Sequence, residues 1–486
     1  MTLRLSFLAL LWYVGQGEYR YAARKRETHT GTTRSGFRGW FDTENQISGK
    51  TQGVDMTFAM GSSSDVSMRT QARSLHATVI GNVLEWFDWT IYATFLPYIA
   101  KALFAPGEQT TALLQTLAIF AAGFLARPIG GIVCGRLANK SGRRISLVVS
   151  MTLMALGSLL LAATPSFSRI GVLASVWLLI ARLIQGFAHG GETSASYTYV
   201  SELAPSSRRG LWSSSVFASS TLGVIIGSLF GVLLTQNLRA DEMATWGWRV
   251  PFVLGAFLGL YAYYLRRNSI ETHTVKDVVA RLAQPAIKDR KRAYISTFKL
   301  FILLGASSVA YYTWLSFATA YAITSKGIPA TDAFIASLCA QTICMLSMPF
   351  YGILSDRFGR KPFALLSTVG FVALSFPLDA WFASSAWSLF IVQTVALLLW
   401  ASIGAIYPAL MAEQFTTGPR ALGIGVSVSF AAVVFGGTAP YINTWLTSIG
   451  KHGIFTGYTV IFSAIASVVV LTMRETNGID LRTTGK

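Results

Sequence analysis

Twelve apolar stretches, each about as long as a helix that crosses a bilayer, follow one another from residue 76 to residue 473. They cover 76–99, 112–134, 145–164, 171–197, 210–234, 249–266, 299–323, 333–354, 363–382, 387–411, 420–446 and 453–473. About 20 mostly apolar residues suffice to span the hydrocarbon core. There every backbone N–H and C=O must be bonded within the protein, so the series predicts an all-α membrane protein of twelve transmembrane helices. Only 13% of the residues are charged, against 52% apolar, whereas a soluble domain carries about 25% charged residues.

The net charge of +18 would suit a nucleic-acid binder if it formed one face. Instead it sits in short runs between the apolar stretches. With the N-terminus inside, 32 of the 40 Lys and Arg residues fall on inner segments and six on outer ones, leaving Arg127 and Arg182 within spans. Such a bias places both termini in the cytoplasm and the chain in the inner (plasma) membrane. The expected organisation is an N-terminal tail at 1–75, a first six-helix bundle at 76–266, a basic cytoplasmic linker at 267–298, a second bundle at 299–473 and a short tail at 474–486. Residues 1–75 read as a disordered tail, or as an over-long start whose true beginning is Met56, Met60 or Met68. The segment Ser48–Thr51 imitates the end of a phosphate loop, but Glu44 stands where its first glycine belongs.

The halves repeat each other. Gly135 to Arg144 follows the second span, and Gly352 to Lys361 follows the eighth, with Gly135/Gly352, Gly142/Gly359 and Arg143/Arg360 in register. Asn139 occupies the place that Asp356 holds in the second copy. A further echo runs from Glu202…Arg208 to Glu413…Arg420. The glycines predict tight turns between helices, and the arginines predict pairs with Glu202 and Glu413 that close the inner mouth in one state and break in the other.

A buried charge costs roughly 2.5–3.5 kcal/mol at a membrane centre, so intramembrane charges are the first functional candidates. Glu85 and Asp88 share one face of the first span. Arg127, Arg182, Glu192 and the titratable His189 follow in the second and fourth. These point to proton coupling through Glu85, Asp88, Glu192 and His189, and to anion binding by Arg182 and Arg127 with Tyr92, Gln185, Tyr312 and Gln341 as polar neighbours. None of the five histidines forms a metal-type pair, the three cysteines sit in apolar stretches, and no nucleophile–base motif shares a helix. Neither an enzyme nor a bound cofactor is expected; the partners are a small solute, protons and lipid, and the chain is expected to be monomeric.

The paired loops resemble the signature loop of the major facilitator superfamily. Gly81-Asn82-Val83-Leu84-Glu85-Trp86-Phe87-Asp88, Gly123 to Gly131, Arg182 to Glu192, Trp246 to Phe252, Arg420 to Gly425 and Phe435 to Ala439 resemble its metabolite:proton symporter branch. Within that branch, Leu114 to Leu125 and the stretch through Tyr311-Tyr312-Thr313 are most similar to α-ketoglutarate permeases. The resemblance implies two pseudo-symmetric six-helix bundles and proton-coupled uptake of a small organic anion by alternating access. The branch also handles citrate, shikimate, aromatic acids and zwitterions such as proline or betaine; a transporter-like sensor is the remaining alternative. Two departures stand out: Asn139 replaces the usual acid, and His189 replaces an apolar residue.

Overall fold

The computed structural model describes residues 68–105, 107–141, 143–190, 193–267, 290–415, 420–479 and 481. The tail before residue 68, most of the linker, Gly142 and Glu192 lie outside them, and for Gly135, Asn139 and Arg143 only the helical backbone is described.

Over their described residues, all twelve expected spans are largely helical. Span one is Met68–Thr94, continued by Leu96–Leu103, and spans two and three are Gln109–Ser141 and Arg143–Ala162. Span four is Leu173–Gly190 followed by Thr193–Leu203. Spans five and six are Arg209–Asn237 and Val250–Arg267, joined by the short helix Ala240–Thr245. Span seven runs through Arg290–Tyr311, a π-helical turn at Tyr312–Phe317, and Ala318–Ser325. Spans eight and nine are Ala330–Phe358 and Lys361–Trp381, and span ten is Ala386–Gly404 with Tyr407–Glu413. Span eleven has its own π turn, Ala432–Gly436, between Arg420–Ala431 and Ala439–Ser448; span twelve is His452–Thr472. Nine helical stretches among the described residues are both long and apolar enough to cross a membrane. Large apolar side chains such as Ile129, Phe257, Phe350 and Ile461 point outward, as a lipid-facing surface requires.

Polar side chains tie neighbouring spans together inside. Asn82 of span one donates to the Val216 carbonyl (2.7 Å), Ser219 (2.8 Å) and Ser220 (2.9 Å) of span five. Small residues set the helix distances. A Cβ at Gly223 would meet the Val83 carbonyl of span one at 2.6 Å. One at Gly130, Gly186 or Gly190 would run into the backbone carbonyl of Phe187, Gly123 or Arg127 respectively. Spans two and four therefore touch backbone to backbone.

The halves meet along spans five and eight and along spans two and eleven. At the end carrying the loops after spans two and eight, here the basic end, a Cβ on Gly210 would lie 2.6 Å from the Gly352 carbonyl. Toward the other end Gly231 accommodates the Phe334 ring. This corrects one sequence expectation: Gly135 and Gly352 lie inside helices, not in turns. Gly352 is needed for the approach of span five. Among the described glycines of the two repeated loops, Gly359, at φ +99°, makes a turn of the kind glycine favours.

Candidate functional site

The backbone contact of spans two and four carries two cations to one ring. Arg127 and Arg182 both lie against Trp89 of span one, each guanidinium carbon 4.0 Å from the indole centroid. Their separation is therefore at most twice that distance. Phe124 lies 4.2 Å from the Arg127 carbon and Tyr92 lies 4.3 Å from that of Arg182. All these side chains are buried. Tyr92 is pinned by donating to the Thr116 carbonyl at 2.9 Å.

Neither guanidinium is saturated. Arg182 donates from Nη1 to Gln185 Oε1 at 2.9 Å, but its Nε and Nη2 have no hydrogen-bond acceptor among the described residues. The same two atoms of Arg127 are equally open. Nε and Nη2 form the edge of a guanidinium that matches the two oxygens of a carboxylate. Two such edges, close together and lacking acceptors, are the most distinctive feature of the interior.

The acids lie beside them. Gln185 Nε2 donates to Asp88 Oδ2 (2.8 Å) and to Ser158 Oγ (3.0 Å), while Ser158 hydrogen-bonds Asp88 Oδ1. The Gln185 amide thus links Arg182 to Asp88. Glu85 faces His189, Oε1 to Nδ1, and the imidazole stacks on Trp89 with centroids 5.3 Å apart and planes 9° apart.

A small cavity opens beside this cluster, between the halves. Arg127, Trp86 and Tyr197 line it from the first half, and Tyr311, Tyr312 and Trp400 from the second. The π turns shape its wall. Tyr312 begins the first one and stands beside the Arg127 guanidinium. Gly436, in the second, leaves room for the Tyr312 ring, where a Cβ would come within 2.5 Å. Gln341 is engaged elsewhere: it accepts from Ser228 (2.8 Å) and donates to the Leu315 carbonyl (3.2 Å), tying spans five, seven and eight. Sequence reasoning passed over Trp89 and Ser158. Trp89 sits four residues after Glu85, so helical spacing pointed to it; nothing marked Ser158 in an apolar span.

The basic end is closed by crossed ion pairs. Arg209 of the first half meets Glu413 of the second at 2.8 Å, and Arg420 of the second meets Glu202 of the first at 2.9 Å. Arg360 adds contacts to Glu413 (3.3 Å) and Asp356 (2.9 Å). Asp356 also accepts from the backbone N–H groups of Gly210 (2.7 Å) and Leu211 (2.9 Å) at the start of span five. Sequence reading expected Arg360 to reach Glu413, and it does. For Glu202 the partner is Arg420 across the halves, and the counterpart of Arg420 is Arg209 rather than Arg208.

The sequence profile of the Major Facilitator Superfamily matches residues 78–346. The chain belongs to this superfamily. It is 36% identical over 402 residues to an alpha-ketoglutarate permease of Escherichia coli (strain K12), covering 81% of this chain and 92% of the relative. A citrate-proton symporter of Klebsiella pneumoniae is 31% identical, covering 80% of this chain and 88% of the relative. A putative proline/betaine transporter of Staphylococcus haemolyticus (strain JCSC1435) is 33% identical, covering 83% and 88%. Among solved structures, the fold matches the superfamily's proton:xylose symporter XylE bound to 6-bromo-6-deoxy-D-glucose with TM-score 0.70 at 17% identity, covering 84% of this chain and 97% of that one. XylE from E. coli in a partially occluded inward open conformation matches with TM-score 0.66 at 18% identity, over 84% and 98%. This facilitator is accordingly a multi-pass membrane transporter and not an enzyme.

Proposed function

We propose that this facilitator carries a small organic dianion of the 2-oxo dicarboxylate class together with protons, by alternating access. The supporting observation is the pair of open Nε–Nη2 edges of Arg127 and Arg182. Trp89 holds the two cations meanwhile: a cation–π contact is worth about 0.5–2 kcal/mol, whereas a hydrogen bond to a charged group contributes about 1.5–3. A carboxylate therefore displaces the indole. The resemblance to an alpha-ketoglutarate permease supports the same class.

Charge balance supplies the coupling. The two guanidiniums and the two carboxylates of Glu85 and Asp88 offset one another. A dianion on the arginines leaves the acids uncompensated, and protons restore neutrality, so the two ligands favour each other's binding. A half-loaded site keeps buried unpaired charge at the occluded midpoint, which disfavours slippage. His189 is the proton exchanger for Glu85, as their contact allows. The excess of basic residues puts the basic end and both termini in the cytoplasm, across the inner membrane.

A second reading rests on the aromatic wall of Trp86, Tyr311 and Trp400, which suits a trimethylammonium group and hence betaine. Uptake of labelled α-ketoglutarate into proteoliposomes, driven by an inward proton gradient, tests the proposal. Competition by dicarboxylates and none by betaine is expected; uptake indifferent to the gradient refutes the coupling.

A further inference from the structure

The segment after span twelve crosses the closed gate and bonds to the charged groups of Glu413, Arg209 and Arg420 and to the backbone of Asp356 and Arg360. Thr476 Oγ1 donates to Glu413 Oε2 at 2.8 Å, and Asn477 Nδ2 donates to the Asp356 carbonyl at 2.9 Å. The carbonyl of Ile479 accepts from Arg209 (3.0 Å), and that of Leu481 accepts from Arg420 (3.0 Å). Glu475 accepts from the backbone N–H groups of Arg360 (2.8 Å) and Lys361 (3.0 Å), at the start of span nine. Met473, Thr476 and Leu481 are buried.

Gly359 is fitted to this contact. A Cβ there would lie 2.6 Å from Glu475 Oε2. The repeated loop thus carries, in its second copy, a glycine whose bare face receives the carboxylate of the tail. Arg209 belongs to the first half, and Arg360, Arg420 and Glu413 to the second, so the segment bridges both halves. It also explains an asymmetry between the crossed pairs. The Glu413 side chain is 0% exposed and gains a third partner in Thr476, whereas the Glu202 side chain is 41% exposed.

We infer that Glu475 to Ile479, together with Leu481, form a latch that holds the cytoplasmic gate shut and has to leave Arg209 and Glu413 before the halves part on that side. The inference rests on the alternating access proposed above, but on neither the solute nor the proton. When the halves separate, Arg209 moves away from Glu413, so one segment cannot stay bonded to both. The tail then sets the population of the state open to the cytoplasm.

The test reads accessibility and not transport, so its failure is distinct from failure of the substrate assignment. Cys134, Cys339 and Cys344 are replaced by Ser, and Ser308→Cys supplies a reporter on the cavity wall. A membrane-impermeant maleimide is applied to inside-out and to right-side-out vesicles. E475Q/T476V is expected to raise labelling from the cytoplasmic face about ten-fold, the equivalent of one lost charge-assisted hydrogen bond, and to lower it from the other face. Deletion of residues 475–486 should raise it further. A second reporter, Ile479→Cys in the chain lacking the native cysteines, keeps the carbonyl contact to Arg209 and should react slowly, and faster once Arg420→Gln loosens the gate. Labelling unchanged in both tail variants, or raised equally from both faces, overturns the latch.

Discussion

Arg127 and Arg182 lean on the same indole, each guanidinium carbon 4.0 Å from the centre of the Trp89 ring. Like charges at such range repel, and in a medium of low dielectric they do so strongly. The arrangement is one that an anion relieves. Lysine keeps the charge and removes the bidentate edge, so Arg127→Lys and Arg182→Lys should each weaken α-ketoglutarate binding about 10- to 100-fold, the loss of one or two charge-assisted hydrogen bonds. Equilibrium binding of the labelled dianion to purified protein measures it. Affinity equal to the parent in both variants would remove the arginines from the site.

Gln185 separates a coupling role from a binding role. Its amide accepts from Arg182 and donates to Asp88. Gln185→Leu keeps the volume and breaks the link, so accumulation driven by a pH gradient should collapse while solute counterflow, which needs no net proton movement, persists. Equal loss of both activities would show that Gln185 serves the solute instead.

The span series, the repeat and the buried charges were legible in the sequence because each is written in residue type: apolar length, glycine and arginine spacing, charge stranded in oil. What closes the gate was less legible. Arg208 and Arg209 are adjacent, and only the helical phase of span five sends Arg209 to Glu413. Gln341 has the composition of a binding residue, yet its amide is taken by Ser228 and Leu315. The tail contacts were unreadable, since carbonyls such as those of Ile479 and Leu481 accept hydrogen bonds whatever the side chain.

Glycine contacts make opposite predictions at two sites. Gly190→Ala would drive a methyl group into the Arg127 carbonyl. Overpacking of this kind costs about 1–3 kcal/mol, so the melting temperature in detergent should fall. Gly457, in span twelve, has nothing within 4 Å of a Cβ. There Gly457→Ala removes the conformational freedom of a helical glycine and should stabilise by about 0.5–1 kcal/mol. A shift of the same sign at both positions contradicts the packing described.

The latch has a defined pH range. Burial alone would raise the Glu475 carboxyl, but the backbone N–H groups of Arg360, Lys361, Asn477 and Thr476 hold it below its ordinary value of 4.5. A depressed folded-state value stabilises the docked tail fully above the unfolded value, and the stabilisation is lost as pH falls through the folded one. Near neutral pH the latch is therefore charged and docked. A spin label at Ile479→Cys should stay immobile near neutrality and become mobile only in acid below the ordinary carboxylate range. Mobilisation between pH 6 and pH 7 would exclude Glu475 as the anchor.

The two crossed pairs should respond differently to loss of the acid. The Glu202 side chain is 41% exposed, and its partner Arg420 still donates to the carbonyls of Ala412 and Leu481 without it, so Glu202→Gln should cost under about 1 kcal/mol. Glu413 is shared by Arg209 and Arg360 and also accepts from Thr476. Removing it alone leaves two arginines buried without their acid, a change that costs about 3–5 kcal/mol. In R209E/E413R the first pair is restored with opposite polarity, but Arg360 then faces a second cation. That double variant should be no more stable than Glu413→Gln, and adding Arg360→Gln should recover part of the loss. Thermal unfolding of the set in one detergent decides it. Full rescue by R209E/E413R without the third change would mean that Arg360 does not share Glu413.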